Sequence, residues 1–387
     1  MKRMPRVLRE AATVPSLDKT GIYIHIPFCV SKCGYCDFYS FGGSAAQYEE
    51  YTSALLKSIH FFEERFSREA DTLYFGGGTP SLLGGERIAR IIEAVDKSFP
   101  LSGDAEITLE ANPADDLRET LRLAAAAGVN RLSLGVQSAD AAELRILGRR
   151  HTNADVIRTV ADARAVGIDN ISLDLMLAIP NQSKESLAAT LDFMYSLAPS
   201  HISSYLLKLE EGTPFHKNAA SLSLPDEDKA AELYLSAVEN LAAHGYGQYE
   251  ISNFAKDGAY SHHNMKYWTL CEYLGIGAAA HSFMDGKRFY FGRDAAGFIN
   301  GAPPTEDGPG GGAEEYVMLR LRLCEGLDES ELASRFGILP GDRYFSLCER
   351  LAASGHLKRN GARISMTPKG FLLNSYITGG ILDSLGL

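Results

Sequence analysis

The sequence has no apolar run of the roughly 18 residues that a helix needs to cross a bilayer, and residues 1–16 contain no signal-peptide apolar segment. It also has no excess of positive charge. Its 38 Lys and Arg residues stand against 49 Asp and Glu, which gives a formal net charge of −11. Such an acidic chain is poorly suited to bind nucleic acid or an anionic membrane surface. The sequence therefore predicts a folded cytoplasmic protein that does not bind nucleic acid.

Cysteine is scarce and unevenly placed, with six residues in a chain of 387. Three of them are close together, at Cys29, Cys33 and Cys36. The other three are scattered, at Cys271, Cys324 and Cys348. Cysteines of a cytosolic protein are more often metal ligands or buried thiols than disulfide partners. The close group therefore indicates a metal centre, and the scattered group indicates packing.

Short β-rich segments alternate with longer Ala- and Leu-rich segments of helical period between residues 21 and 251. The pattern predicts six βα units, with strands at 21–26, 71–75, 106–111, 131–135, 169–177 and 201–207. Strands joined by helical crossovers are parallel. A polar or small residue lies at or just beyond the end of each strand, at Cys29, Gly76, Glu110, Gln137, Asp174 and Lys208. Since a barrel gathers its functional groups at these ends, we expect an α/β fold with a partial (β/α)6 TIM-like barrel rather than a doubly wound sheet.

The segment 301–312, GAPPTEDGPGGG, contains five Gly and three Pro and is predicted to hold no regular element. Two helices and a hairpin at Asn360-Gly361 are predicted beyond it, in the order of a winged helix. Residues 313–387 hold nine Lys and Arg and nine Asp and Glu, so this module is neutral and unsuited to DNA. The predicted domains are an N-terminal segment at 1–20, the barrel at 21–251, a segment packing on it at 252–300, a linker at 301–312 and a winged-helix-like domain at 313–387.

The close cysteines form the motif CVSKCGYC directly after the first predicted strand. Three thiolates from one loop can bind three irons of a [4Fe–4S] cluster and leave the fourth iron open. An open iron can chelate the amino and carboxylate groups of S-adenosylmethionine. A zinc site with His25 as a fourth ligand is the alternative. The CxxxCxxC spacing, with the aromatic Tyr35 before the last cysteine, favours the cluster.

A glycine-rich segment, GGGTP at residues 76–80, follows the second predicted strand without the spacing of a phosphate-binding loop. Glycines at a strand end allow backbone carbonyls to approach a ligand ammonium group. Four polar residues near other strand ends could bind the ligand's carboxylate and ribose: Glu110, Gln137, Arg149 and Asp174. Taken singly, each could equally be a helix cap or a member of a surface ion pair.

CxxxCxxC is the motif of the radical S-adenosylmethionine superfamily, and longer stretches resemble one family within it. These stretches are YIHIPFC (23–29), GGGTPS (76–81), EANP (110–113), RLSLGVQS (131–138), LGRRH (147–151), GYGQYEISNFA (245–255) and LGIGAAAHSF (274–283). Together they resemble the oxygen-independent coproporphyrinogen III oxidase family, which includes the HemW-type haem chaperones. The likeness covers about residues 21–375.

The resemblance implies which residues hold the cofactors. It assigns a [4Fe–4S] cluster to Cys29, Cys33 and Cys36. It assigns S-adenosylmethionine to Tyr23, Tyr35, Gly77, Gly78, Thr79, Glu110, Gln137, Arg149, Asp174 and Lys208. The sequence departs from the family at Ala178, where glycine is usual, and at Leu206, where relatives often have a polar residue.

Two differences from the oxidases favour the chaperone branch. Phe38 stands where the oxidases have a further cysteine, and only 28 residues precede Cys29, where the oxidases have a longer extension. In addition, residues 263–268, HNMKYW, match the HNxxYW motif of the chaperones and contain the only tryptophan. The resemblance therefore implies that haem is bound by His263, Tyr267 and Trp268.

Chemistry allows that assignment, since an imidazole can ligate haem iron and aromatic rings can cover a porphyrin face. On the residues alone, Tyr267 and Trp268 are more often core aromatics and His263 a hydrogen-bonded polar group. Other candidate ligands are His262, Cys271 and His281. For His281 a structural hydrogen bond is the expected use, and for Cys271 a buried apolar environment.

The resemblance thus implies a haem chaperone that carries a cluster coordinated by S-adenosylmethionine and transfers haem to acceptor proteins. Its expected partners are haem, the acceptors and a reductant for the cluster, with a homodimer and transient contact with membrane respiratory proteins as further candidates. Oxidative decarboxylation of coproporphyrinogen III, in porphyrin biosynthesis, is the alternative. The cofactor residues suit it equally well, as they suit another radical reaction on a tetrapyrrole. No catalytic residue is assigned.

Overall fold

The computed structural model describes residues 19–66 and 68–387. Of the predicted N-terminal segment, residues 1–18 lie outside the described residues. The six strands of the barrel are β1 to β6, at Thr20–Ile26, Ala70–Gly77, Leu101–Ala111, Arg131–Gln137, Asn170–Leu177 and His201–Leu206. They lie in one sheet in chain order, each parallel to the next. A doubly wound sheet would reverse its order at a switch point. The predicted partial barrel is therefore confirmed.

Six helices form the crossovers between these strands. They are α1 to α6, at Ala45–Glu63, Gly85–Ser98, Arg118–Ala126, Ala141–Ile146, Asn153–Ala165 and Lys184–Ser196. Two further helices follow β6, α7 at Pro214–Lys217 and α8 at Glu227–Ala243. Several begin at a side-chain cap: Ser44, Thr152 and Ser183 each accept a hydrogen bond from the backbone N–H three residues later. The helices cover the outer face of the sheet, and alternate residues of β1, Ile22, Ile24 and Ile26, are fully buried on one face of the strand.

Residues 247–309 extend the sheet at both edges. Their elements are β7 Gly247–Glu250, β8 Asn253–Ala255, α9 His262–Trp268, β9 Tyr273–Ile276, β10 His281–Met284, β11 Lys287–Tyr290, α10 Ala295–Ile299 and β12 Thr305–Pro309. Strand β8 pairs with β6, whereas β9 adds a further parallel strand beside β1 and continues into the antiparallel run β10, β11 and β12. The segment predicted to pack on the barrel is thus largely part of its sheet.

The predicted absence of a regular element at 301–312 is wrong, because β12 lies within that segment and pairs with β11. Strand β12 lies at one end of the sheet order, so it is hydrogen-bonded on one side only. An edge strand tolerates proline, which lacks an N–H, and a local irregularity in pairing accommodates the glycines. Long-range pairing therefore overrides the local composition.

The C-terminal part contains α11 Ala313–Arg320, β13 Leu327–Asp328, α12 Glu329–Phe336, α13 Asp342–Ala353, β14 Leu357–Asn360, β15 Arg363–Met366, α14 Pro368–Phe371 and α15 Asn374–Leu385. Its three strands form a small antiparallel sheet in the order β13, β15, β14, and the predicted hairpin is present. The region joins the barrel through backbone hydrogen bonds from Ile251 to Arg322 (3.0 Å) and from Cys324 to Tyr249 (2.9 Å). Across residues 19–66 and 68–387, no helix combines the length and apolar character needed to traverse a membrane.

Candidate metal centre and adjoining cavities

The close cysteines lie on the loop after β1, at the carboxyl ends of the parallel strands. All three are free thiols on partly exposed residues. Backbone hydrogen bonds close the loop at its base: the Cys29 N–H donates to the Phe41 carbonyl (2.9 Å), and the Phe41 N–H donates to the Pro27 carbonyl (2.8 Å). The loop therefore presents three thiols from a fixed base.

Polar groups from the segments after β2 and after α4 approach these thiols. The Thr79 hydroxyl lies 3.6 Å from Cys29 Sγ, and the Arg149 guanidinium lies 3.9 Å from Cys33 Sγ. A neighbouring cation stabilises a thiolate, which is the form that binds iron. Burial raises the pKa of the Cys36 thiol. The Nε atom of Arg149 is buried without a hydrogen-bond partner among the described residues.

Within the described part of the chain, no three His, Cys, Asp or Glu side chains gather closely enough to hold a single metal ion. His25, the candidate fourth zinc ligand, is buried, and its two ring nitrogens bond the Tyr23 hydroxyl (3.1 Å) and the Tyr39 carbonyl (3.2 Å). Burial lowers the pKa of His25 to about 4. Three thiols on one loop, with a guanidinium beside one of them, suit a cluster in which each thiolate takes a different iron.

A cavity of about 440 Å³, here called the strand-end cavity, opens beside the cysteine loop. Four residues of the predicted cofactor set line it: Tyr35, Glu110, Asp174 and Lys208. Glu110 accepts hydrogen bonds from the Tyr74 hydroxyl (2.7 Å) and the Gly77 N–H (3.2 Å). Burial raises the pKa of Glu110 to about 7 and that of Asp174 to about 6. Two partly buried carboxyls with raised pKa values favour a cationic ligand, because a nearby positive charge stabilises their ionised form.

The remaining predicted residues contact this cavity less directly. Gln137 accepts a hydrogen bond from the Tyr205 hydroxyl (2.7 Å), and Tyr205 lines the cavity. Lys208 lines the cavity but is mostly exposed, and it pairs with Glu210 (2.9 Å). Tyr23 lines a different cavity. Sequence reasoning missed Tyr74 and Tyr205, whose only signal was an aromatic residue near the end of a predicted strand.

That second cavity, here called the aromatic cavity, has a volume of about 690 Å³. It lies between β1, the segment after the cysteine loop, α9, strands β9 to β11 and α11. Rings on its walls include those of Tyr23, Phe38, Tyr267, Trp268 and Tyr290. Phe38, with 66% of its surface exposed, lines both cavities. The aromatic cavity is therefore adjacent to the segment that carries the cysteines.

The structure places the three predicted haem residues in two different environments. Tyr267 and Trp268 line the aromatic cavity, whereas His263 is only 1% exposed and does not. The ring nitrogens of His263 bond the Thr72 hydroxyl and the Tyr267 hydroxyl, each at 2.8 Å. Burial lowers the pKa of His263 to about 3.

The other candidate ligands occupy three environments. Cys271 is buried beside the Thr269 hydroxyl (3.2 Å), and His262 is partly buried at the start of α9. His281 is exposed at the rim of the aromatic cavity, where its ring stacks on Tyr290. The structural hydrogen bond expected of His281 is not formed with any described residue.

A three-cysteine loop at the mouth of a parallel partial barrel, beside a glycine-rich strand end, is the arrangement of a radical S-adenosylmethionine protein. The model of the radical SAM superfamily matches residues 23–194, and that of the HemN C-terminal domain matches residues 312–373. Membership in the superfamily implies a [4Fe–4S] cluster and S-adenosylmethionine.

Comparison with known proteins identifies the family. The heme chaperone HemW of Bacillus subtilis (strain 168) is 34% identical over 379 residues, covering 94% of this chain and 99% of that protein. HemW of Escherichia coli (strain K12) is 36% identical over 336 residues, covering 83% and 87%. The chain belongs to the HemW family. The structure of coproporphyrinogen III oxidase (HemN) from Escherichia coli shares the fold, with a TM-score of 0.81 and 22% identity over 95% of this chain and 91% of that one.

Proposed function

We propose that this protein is a haem chaperone, which binds haem and passes it to acceptor proteins. The aromatic cavity is the observation that carries the proposal. Its volume of about 690 Å³ falls within the roughly 300–1,000 Å³ usual for small-molecule sites. Flat rings such as those of Tyr267 and Trp268 pack favourably against a planar aromatic ligand. The two HemW relatives are themselves named heme chaperones, which supports the same function here.

We further propose that Cys29, Cys33 and Cys36 hold the cluster and that the strand-end cavity holds S-adenosylmethionine. When bound, the cluster supplies a single electron to that ligand. S-adenosylmethionine carries an ammonium and a sulfonium, and the partly buried carboxyls of Glu110 and Asp174 can provide the negative charge that a cation requires. Tyr35 contributes an aromatic wall beside the cysteines. The other proposed contacts are Tyr23, Gly77, Gly78, Thr79, Gln137, Arg149 and Lys208.

The tight packing of Gly78 against the cysteine loop gives a test of this arrangement. A Cβ added at Gly78 would lie 2.6 Å from the Phe28 carbonyl oxygen and 3.0 Å from that of Ile26. Because both are backbone atoms, Gly78→Ala is expected to displace the chain that leads into Cys29. We expect affinity for S-adenosylmethionine, measured by calorimetry without oxygen, to fall roughly tenfold, about 1.4 kcal/mol.

Gly103→Ala is the matched control, because a Cβ at Gly103 meets nothing within 4 Å. Circular dichroism checks that both variants remain folded. Equal affinity of Gly78→Ala and the unmodified protein would show that the cysteine loop does not depend on this close approach.

The proposal places the protein in the cytoplasm with a reductant for the cluster. A homodimer and transient contact with membrane respiratory proteins are part of the same proposal. Size-exclusion chromatography with and without haem tests for the homodimer.

Haem titration tests the central function. Protein purified without oxygen is titrated with ferric haem and followed by its Soret absorbance, and the complex is then mixed with apomyoglobin. We expect saturable binding and transfer of haem to apomyoglobin. Absence of saturable binding would overturn the proposal. Anaerobic conversion of coproporphyrinogen III to protoporphyrinogen IX would instead identify an oxidase.

A further inference from the structure

The strand pair β10 and β11 brings several chemically useful side chains to one wall of the aromatic cavity. His281 is paired directly with Tyr290, and Phe283 with Arg288. Directly opposed residues of an antiparallel pair share one face of the sheet. His281, Arg288 and Tyr290 all line the cavity, so this face looks into it.

The imidazole of His281 is available to a ligand. Its ring stacks on Tyr290 with a centroid separation of 5.2 Å and an interplanar angle of 23°. Stacking fixes the orientation of the ring and leaves its edge nitrogens uncovered. No described residue forms a hydrogen bond with those nitrogens, and the residue is exposed at the cavity rim.

His263 offers the opposite environment. Both of its nitrogens already have hydrogen-bond partners at 2.8 Å, and the side chain is shielded from solvent. Ligation of iron by His263 would break at least one of these buried hydrogen bonds. The hydroxyl of Thr72 or of Tyr267 would then lose its histidine partner. The family motif therefore supplies rings to the cavity wall, while its histidine holds one of those rings in place.

Cations at the same rim complete the site. Haem carries two propionates, which need positive charge where they emerge. Arg288 already contacts the Tyr273 hydroxyl (3.1 Å) and the Glu315 carboxylate. Arg293 is mostly exposed, and its single ion pair among the described residues is a 3.5 Å contact with Asp37. Arg293 is thus the more available partner for a propionate.

We propose that haem binds in the aromatic cavity, where His281 would ligate its iron and Arg293 would pair with a propionate. This inference rests on the proposed haem-binding function and names its site. His263 is then a positioning residue that acts through Tyr267.

The comparison of haem with metal-free protoporphyrin IX separates iron ligation from cavity shape. His281→Ala is expected to weaken ferric haem binding roughly tenfold or more, while the affinity for metal-free protoporphyrin IX stays within about twofold. Both affinities are measured by quenching of intrinsic fluorescence, and the Soret spectrum of the haem complex should change in the same variant. His60→Ala, on the exposed face of α1 and outside the cavity, is the control.

A ligand swap gives an independent readout. His281→Cys is expected to convert the ferrous carbonyl complex to the spectrum of thiolate-ligated haem, because the ligand atom itself has changed. Arg293→Glu is expected to weaken the binding of both porphyrins, since both carry propionates.

The outcomes distinguish this inference from the function on which it rests. If the unmodified protein binds no haem, the proposed function fails. If it binds haem and His281→Ala leaves its affinity and spectrum unchanged, His281 is not the ligand. An equal loss of affinity for haem and for metal-free protoporphyrin IX in His281→Ala would also overturn the inference. Such a result would show that His281 contributes only to the shape of the cavity and not through a bond to iron.

Discussion

Cys33→Ala is expected to remove the iron–sulfur cluster, with iron and acid-labile sulfide falling roughly tenfold or more after anaerobic reconstitution. A site with three thiolates has no spare ligand, since each is proposed to hold a different iron. The Arg149 guanidinium lies 3.9 Å from Cys33 Sγ, but it has only N–H donors and cannot replace a thiolate. Visible absorbance and iron analysis measure the loss.

Cys348→Ala is the control for cysteine removal. Cys348 lies in α13, is 2% exposed and packs in the C-terminal part of the hydrophobic core. The Cys348→Ala variant should keep the cluster and lose only a small amount of core packing. A cluster retained in Cys33→Ala, or lost in Cys348→Ala, would contradict the assignment of the two groups of cysteines.

The barrel could be predicted because its signals are local. The strand predicted at 131–135, for example, is observed as β4 at Arg131–Gln137. The start of the crossover helix α5 is likewise encoded locally, by Thr152, whose side chain caps its first turn. The strand ends that collect polar groups follow from the same alternation of strands and helices. The sequence alone therefore predicts that Glu110 and Asp174 share one site, and both line the strand-end cavity.

The pairing of β9 with β1 could not be predicted in the same way. Gly21 and Tyr273 are paired in this parallel contact although they lie far apart in the sequence. No local pattern records which distant strand will cover an edge, and the linker prediction at 301–312 failed for the same reason. The aromatic cavity depends on this pairing, because β9, β10 and β11 form one of its walls.

The departure from the family at Ala178 has a physical explanation in the structure. Ala178 has a φ of 60°, in the left-handed region that glycine adopts without strain. Its N–H donates to the Gln182 side chain (2.8 Å), and this hydrogen bond helps to hold the strained conformation.

The environment of the motif histidine, His263, could not be predicted from the sequence. HNxxYW is recognisable as a pattern, but whether His263 faces a ligand or a neighbouring side chain depends on packing.

Asp71→Ala is expected to destabilise the protein by about 3 kcal/mol, because it removes a carboxylate partner of a fully buried ammonium. Lys266 Nζ lies 2.7 Å from Asp71 Oδ1 and donates to the Lys19 carbonyl at 2.8 Å. Lys266 belongs to α9, and Asp71 belongs to β2. The ion pair thus fastens the helix that carries Tyr267 to the barrel. Urea unfolding followed by circular dichroism measures the change in the free energy of unfolding.

Glu93→Ala, which breaks the exposed pair of Glu93 and Lys97 (2.6 Å), is the control and should change stability by less than about 0.5 kcal/mol. Lys266→Met in the Asp71→Ala background should restore part of the loss, because no charge then remains buried at this position. Haem affinity should fall in Asp71→Ala, since α9 supplies rings to the aromatic cavity. Equal effects of Asp71→Ala and Glu93→Ala would mean that the buried pair does not fasten α9.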